Sequence, residues 1–219
     1  IHEGGHAIYE QNITDVISKT ELGEGASMGI HESQSRIYEN VFGRNINFWI
    51  PIYPRLQEVF PENLKDVSLE EFYLIINDSK SSLIRIEADE LTYPIHVLIR
   101  YELEKEIFEK DVNVDKKKKK WADKYEEYLG IRPETFREGV LQDVHWSGGS
   151  FGYFSSYALG SAYASQFYHA MCTEFDVEKE LKSGSFERIN TYLRENIHQY
   201  GKYKTPEELM MDTTKEKFN

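Results

Sequence analysis

His2-Glu3-Gly4-Gly5-His6 and, beyond a short loop at Glu21-Leu22-Gly23-Glu24-Gly25, His31-Glu32-Ser33-Gln34-Ser35-Arg36 are the stretches on which the reading of this chain turns. The first predicts a helix over residues 1–14, with Ala7, Ile8 and Ile13 as apolar positions. The second predicts a helix from Ser27 to Val41, ending near Gly43. On a helix, positions i and i+4 lie on one face a turn apart, so His2 and His6 present two imidazoles in the same direction. Gly4 and Gly5 each cost about 1 kcal/mol relative to Ala in a helix interior. Glycines tolerated at that price imply that something packs closely against this face.

Two imidazoles at this spacing can share one Zn2+, and the intervening Glu3 points in a neighbouring direction, placed to take a proton from water without binding the metal. A catalytic zinc needs a third protein ligand and an open fourth position. Helix, short loop and antiparallel helix would return Glu32 beside the histidines, which makes it the candidate third ligand. Glu24, His31 and Glu39 are the competing donors. His31 adjoins Glu32 and points elsewhere, toward a supporting or substrate-facing role.

Outward from this pair the pattern stays helical. Few segments alternate with period two, and apolar residues recur at three- and four-residue spacing. Pro51, Pro54 and Pro61 are expected to break up the next stretch, with Trp49, Ile52 and Tyr53 packed. Ser68 followed by Glu70 and Glu71 reads as an N-cap with an acidic first turn. A long helix is expected over Ser81 to Lys110, bent near Pro94. Trp121 to Leu129 is amphipathic, Gly148, Gly149 and Gly152 mark a loop, and Tyr153 to Thr173 reads as a buried helix rich in small residues. Two surface helices are expected near Phe186 to His198 and Pro206 to Met211. No repeat or domain boundary stands out, so residues 1–219 read as part of one all-α domain.

Composition narrows the function classes. A net charge of −12 argues against broad nucleic-acid binding. The basic run Lys116 to Lys120 reads as a solvated helical turn before Trp121 in preference to a polyanion patch. No stretch approaches the roughly 20 apolar residues of a membrane span, and the opening Ile1-His2-Glu3 does not read as a signal peptide. A single cysteine, Cys172, cannot form an intramolecular disulfide, which suits a reducing, cytoplasmic compartment. Ile1 is followed at once by the helical motif, from which a longer parent protein is expected.

Two further stretches complete a resemblance. Ile84-Arg85-Ile86-Glu87-Ala88-Asp89 matches I-R-x-x-A-D, and Gly139-Val140-Leu141-Gln142-Asp143-Val144-His145-Trp146 matches G-x-x-Q-D-x-H-W. With the two opening motifs, in this order, the chain resembles the thermostable carboxypeptidase 1 (Taq-type) metallocarboxypeptidases over essentially its whole length. The resemblance implies an all-α, zincin-like fold with a deep substrate groove, of which the N-terminal half and its D-x-R-x-T motif are missing here. It implies zinc, with cobalt as a substitute, peptide substrates with a free C-terminus, single-residue release with broad preference, and a cytosolic homodimer that needs no nucleic acid or membrane.

Within that resemblance Glu3 is the expected general base and Arg85 the expected partner of the substrate carboxylate, a role suited to a planar guanidinium. Arg85 has a plainer reading as a structural ion pair with Glu87, Asp89 or a carboxylate elsewhere. His145 is the expected oxyanion donor, with Tyr153 ahead of Tyr157 as a further one. Gln142 is expected on the substrate backbone, Asp143 behind a histidine, and Trp146 in packing. His96, His169 and His198 match no motif. The rival classes are a related helical oligopeptidase or dipeptidyl carboxypeptidase, separable by product size, and a non-catalytic metal-binding module.

Overall fold

The computed structural model describes residues 1–109 and 114–219, with side chains for 1–109 and 118–219. Lys110, the expected end of the long helix, and the side chains of Lys116 and Lys117 in the basic run lie outside the described residues. Among the described residues every regular element is helical, as the periodicity predicts. No helix there is long and apolar enough to cross a membrane. The chain divides into two compact units, residues 1–76 with 159–219, and residues 77–158.

The first unit opens with α1 (His2–Gln11), which stops short of the expected residue 14 in a turn at Asn12, and a separate short α2 (Asp15–Ser18) that the sequence reading did not place. Ser27 caps α3 (Met28–Arg36), its hydroxyl accepting from Ile30 N. A π-helical turn (Ile37–Phe42) carries α3 on to Gly43. Such widened turns are rare and are found mostly near functional sites. On α1 the buried positions are Gly5 and Tyr9, and Ala7 is exposed.

Next come α4 (Ile46–Val59), α5 (Pro61–Leu64) and α6 (Leu69–Ile76). Contrary to expectation, Pro51 and Pro54 lie inside α4. Both face solvent while Trp49 and Tyr53 are buried, so the carbonyls that lose their amide partners can be hydrated. Pro61 does act as read, opening α5 at its first position. Ser68 and Glu71 form a reciprocal cap on α6, Ser68 N and Oγ both donating to Glu71 Oε2 and Glu71 N to Ser68 Oγ.

In the second unit the expected helix from Ser81 begins only at α7 (Tyr93–Glu109). Asp89 stops the earlier start. Its carboxylate accepts from Ser79 Oγ, Lys80 N, Leu91 N, Thr92 N and Thr92 Oγ1, holding residues 79–92 in a turn. Pro94 then sits in the first turn of α7, where its missing N–H costs nothing, and so it starts this helix instead of bending it. α8 (Val114–Leu129) carries the described part of the basic run: Lys118 lies over the Phe136 ring, and Lys119 and Lys120 pair with Asp123 and Glu106. α9 (Ser155–Glu174) follows the glycine loop.

From residue 159 the chain belongs to the first unit again, through the rest of α9, α10 (Val177–Ser183), α11 (Glu187–Asn196) and α12 (Pro206–Thr214). α9 buries one stripe, Gly160, Ala164, Phe167 and Met171, and leaves its other faces at least partly open. The helices expected on the surface are amphipathic contributors to the core. Ile189, Leu193, Leu209 and Met210 pack in one cluster with Tyr9, Ile30, Ile37 and Phe42 from the ligand-bearing helices. Burial at roughly 25 cal/mol per Å2 of apolar surface is what fixes α1 and α3 in place.

Candidate metal centre and the Arg85 cluster

The Nε2 atoms of His2 and His6 are 3.2 Å apart, and Oε2 of Glu32 lies 3.7 and 3.6 Å from them. Among the described residues these three form the one group of His, Cys, Asp or Glu donors able to hold a metal ion. Bonds of about 2.0–2.1 Å in four-coordinate zinc put ligand atoms about 3.3 Å apart, close to the sides of this triangle. Two imidazole nitrogens and a carboxylate oxygen converging on one point bring lone pairs together, an arrangement that a cation resolves. The donor set and its spacing fit a divalent metal.

Each ligand is also held from behind. His2 Nδ1 is 2.8 Å from Glu39 Oε2. His6 Nδ1 is 2.7 Å from His31 Nδ1, and His31 Nε2 is 2.7 Å from Glu10 Oε1. Glu32 Oε1 accepts from Arg36 Nε at 2.8 Å, and Arg36 Nη1 donates to Glu39 at 3.0 Å. The rear atom of each ligand thus has a partner while the front atom faces the shared point. Partners of this kind orient metal ligands and raise their basicity. Burial would raise the Glu32 carboxyl, but His6, Arg36 and His2 outweigh it and hold the group below the usual carboxylate range.

Close packing sets the geometry. A Cβ on Gly160 would stand 2.6 Å from Glu32 Cβ, and one on Gly5 would stand 2.6 Å from Ser35 Cα. At Gly4 nothing lies within 4 Å, so only the second glycine of the motif serves close approach. Behind α3, neutral His198 donates from Nε2 to Gln34 Oε1 and accepts at Nδ1 from Asn12 Nδ2. Burial foremost, then the nearby His31, pushes His198 down to about 3. Ser33 and Ser35 bond to backbone carbonyls of their own helix, so the buried polar face of α3 is satisfied.

Glu3 is exposed on the first turn of α1, next to the ligand face. Of the competing donors, Glu24 is exposed and paired with Lys202, while Glu39 and His31 stand behind the ligands. His31, expected to face substrate, has both ring nitrogens occupied.

In the second unit Arg85 is buried and paired. Its Nε and Nη2 donate to Asp143 Oδ1 at 3.0 and 2.8 Å, and Nη1 donates to Tyr93 Oη at 3.0 Å. The other Asp143 oxygen accepts from Arg100 Nε at 2.6 Å, and Arg100 is fully buried. Burial would raise the Asp143 carboxyl, but Arg100 and Arg85 hold it below its ordinary value. Asp143, read from sequence as a histidine's support, instead bridges two arginines. Arg85 thus has the plainer partner the sequence allowed, a carboxylate elsewhere in the chain, although one aspartate shared by two arginines leaves the pair with excess positive charge.

Gln142 is turned inward as well. Its Oε1 accepts from Arg85 N, and its Nε2 donates to the carbonyls of Leu83 and Glu138. Substrate contact would require breaking these bonds. His145 Nε2 is 3.1 Å from Tyr157 Oη, and its Nδ1 is buried without a partner. Burial and then Arg85 lower the His145 pKa, favouring a neutral ring. Tyr153 is half-buried with its ring 5.3 Å from that of His145. Trp146 donates to Glu104 at 2.7 Å and packs edge-on against Trp121, as a packing residue should.

Sequence reasoning did not anticipate Glu10 and Arg36 as supports of the ligands, nor Arg100 and Tyr93 in the arginine cluster. Only Arg36 carried a signal, its i+4 spacing from Glu32.

Residues 1–219 match the model of the carboxypeptidase Taq (M32) metallopeptidase family. The chain is 53% identical over 220 residues to "Carboxypeptidase 1" of Bacillus subtilis, covering 100% of this chain and 44% of that protein. It is 43% identical over 217 residues to "Thermostable carboxypeptidase 1" of Thermus thermophilus, covering 99% of this chain and 42% of the other. The solved structure of Pyrococcus furiosus carboxypeptidase superposes with a TM-score of 0.96 at 38% identity, covering 100% of this chain and 44% of that one. The chain therefore spans less than half the length of the curated relatives it matches.

Proposed function

Since this chain belongs to the carboxypeptidase Taq (M32) metallopeptidase family, we propose that it is the catalytic C-terminal part of a zinc-dependent carboxypeptidase that releases single residues from peptide C-termini with broad preference. The observation that carries the reading is the convergence of His2 Nε2, His6 Nε2 and Glu32 Oε2 on one point with Glu3 left free beside them.

His2, His6 and Glu32 would hold Zn2+, for which Co2+ can substitute, since both accept two imidazoles and a carboxylate. When bound, such an ion polarises a carbonyl and acidifies water. Glu3 accepts a proton from the attacking water and passes it to the leaving amine, a role open to a carboxylate that no other side chain ties down. Glu39, His31 and Arg36 keep the ligand atoms aimed. His145, kept neutral, and Tyr153 are the proposed donors to the developing oxyanion. The Arg85–Arg100 pair, with two positive charges to the one on Asp143, supplies the excess charge that favours a substrate carboxylate. As the resemblance implies, the whole protein would act as a cytoplasmic homodimer.

The test uses the whole protein with added zinc and one peptide prepared as free acid and as C-terminal amide, followed by mass spectrometry. A ladder of single-residue losses from the free acid alone is expected. Dipeptide or internal cuts in either form would replace this reading with an oligopeptidase or dipeptidyl carboxypeptidase. No cleavage with zinc bound would leave a metal-binding module.

A further inference from the structure

We infer that His31 and Glu10 form a positioning relay that fixes which nitrogen of His6 carries hydrogen, so that His31 acts on the metal ligand and not on substrate. The inference rests on the metal-centre reading above and deepens it.

The argument is one of donors and acceptors. His6 Nε2 faces the same point as His2 Nε2 and Glu32 Oε2, so a metal-binding His6 carries no hydrogen there. A neutral ring must then carry it on Nδ1. Nδ1 of His6 is 2.7 Å from Nδ1 of His31, and two N–H groups cannot face each other at that distance, so His31 Nδ1 accepts. The hydrogen of neutral His31 is therefore on Nε2, which lies 2.7 Å from Glu10 Oε1, an acceptor. With both rings neutral, one arrangement satisfies all four atoms, and it is the one that leaves His6 Nε2 bare.

The surroundings hold the relay in register. Gly25 N donates at 3.1 Å to the same Glu10 oxygen. A Cβ on Gly25 would stand 2.7 Å from His31 Cδ2, so the ring takes space that only glycine leaves. Tyr9 lies edge-on to His31 with ring centroids 5.1 Å apart, and its hydroxyl accepts from Ala26 N, anchoring the loop that frames the ring. Glu10 and His31 sit on α1 and α3, so the relay also ties together the two ligand-bearing helices.

The test measures zinc affinity of the whole protein by competition with a chelator, alongside the thermal midpoint of the metal-free form. His31→Leu removes the acceptor, and zinc affinity is expected to fall about 10- to 100-fold. His31→Gln, whose amide can accept from His6 and donate to Glu10, should recover most of the loss. Glu10→Ala, at a more exposed position, should weaken zinc in the same direction even if His31→Leu fails to fold, and should alter the visible spectrum of the Co2+ form. Wild-type zinc affinity in both His31→Leu and Glu10→Ala, or equal losses in His31→Leu and His31→Gln, would overturn the relay. A raised KM with zinc affinity unchanged would assign His31 to substrate instead. If the wild-type protein bound no zinc, or His6→Ala kept it, the metal-centre reading itself would have failed.

Discussion

Gly5 of α1 and Ser35 of α3 are in such close contact that a Cβ on the glycine would stand 2.6 Å from the serine Cα. The two helices carrying the candidate ligands meet backbone to backbone at this point. A backbone atom cannot swing aside as a side chain can, so Gly5→Ala is expected to destabilise by about 1–3 kcal/mol. Gly4 has nothing within 4 Å of its would-be Cβ. Gly4→Ala should therefore stabilise by about 1 kcal/mol through helix propensity alone. Opposite shifts in thermal midpoint for these neighbouring substitutions check the packing directly.

Glu3→Gln is expected to keep stoichiometric zinc and lose hydrolysis by at least about 100-fold, the usual contribution of a general base. Bound metal by atomic absorption and turnover of a free-acid peptide are the paired measurements. Normal turnover would remove Glu3 from the base role.

Glu32→Ala should lose zinc and also remove the acceptor of the buried Arg36 Nε, leaving that guanidinium its bond to Glu39. Removing the acceptor of a buried donor costs about 1–3 kcal/mol. Metal-free protein should therefore unfold earlier than wild type, and zinc titration should show strongly weakened binding. Unchanged zinc affinity would take Glu32 out of the site.

Asp143→Asn tests the second unit. Both carboxylate oxygens of Asp143 are used, one by Arg85 and the other by Arg100. An amide cannot accept on both sides or neutralise either guanidinium, so a loss of about 3–5 kcal/mol is expected in chemical denaturation. Full stability in the variant would mean that the arginines find other partners.

The pH dependence of stability has a definite sign. His96 is fully buried, and burial first, then Arg100 and Arg85, pushes it down to about 4. In the unfolded chain its pKa returns to about 6.5. Between these values the unfolded state binds the extra proton, so stability is complete above about pH 6.5 and falls as pH drops toward 4. Near pH 5 the slope from one such histidine is about 1 kcal/mol per pH unit. Metal-free His96→Gln should show a shallower decline across this window in urea melts at successive pH values.

Much of this was legible in sequence because it depends on local spacing. Histidines four apart on a helix face the same way, and Ser68 with Glu71 caps α6 for reasons confined to one turn. The helical class followed from periodicity. What escaped depended on partners distant in the chain or on exceptions that only packing decides. Asp143 lies 58 positions from Arg85. Asp89 gathers a turn where helix propensity argued for continuation, and Pro51 and Pro54 sit in a helix because they face water. Glu39 reaches His2 from a π-turn, which no propensity scale anticipates. Glu10 looks like any exposed helical glutamate until His31 is seen against it.

The first unit is assembled from two stretches separated by the whole of residues 77–158. A ribosome therefore delivers His2, His6 and Glu32 long before Phe167, Met171, Leu193 and Leu209, which cover the apolar side of the helices that carry them. Until then the apolar side formed by Tyr9, Ile30, Ile37 and Phe42 lacks these partners. Non-local closure of this kind makes folding slow. The packed setting of the ligand helices, with Gly160 against Glu32, is thus complete only once residues 159–219 have been made.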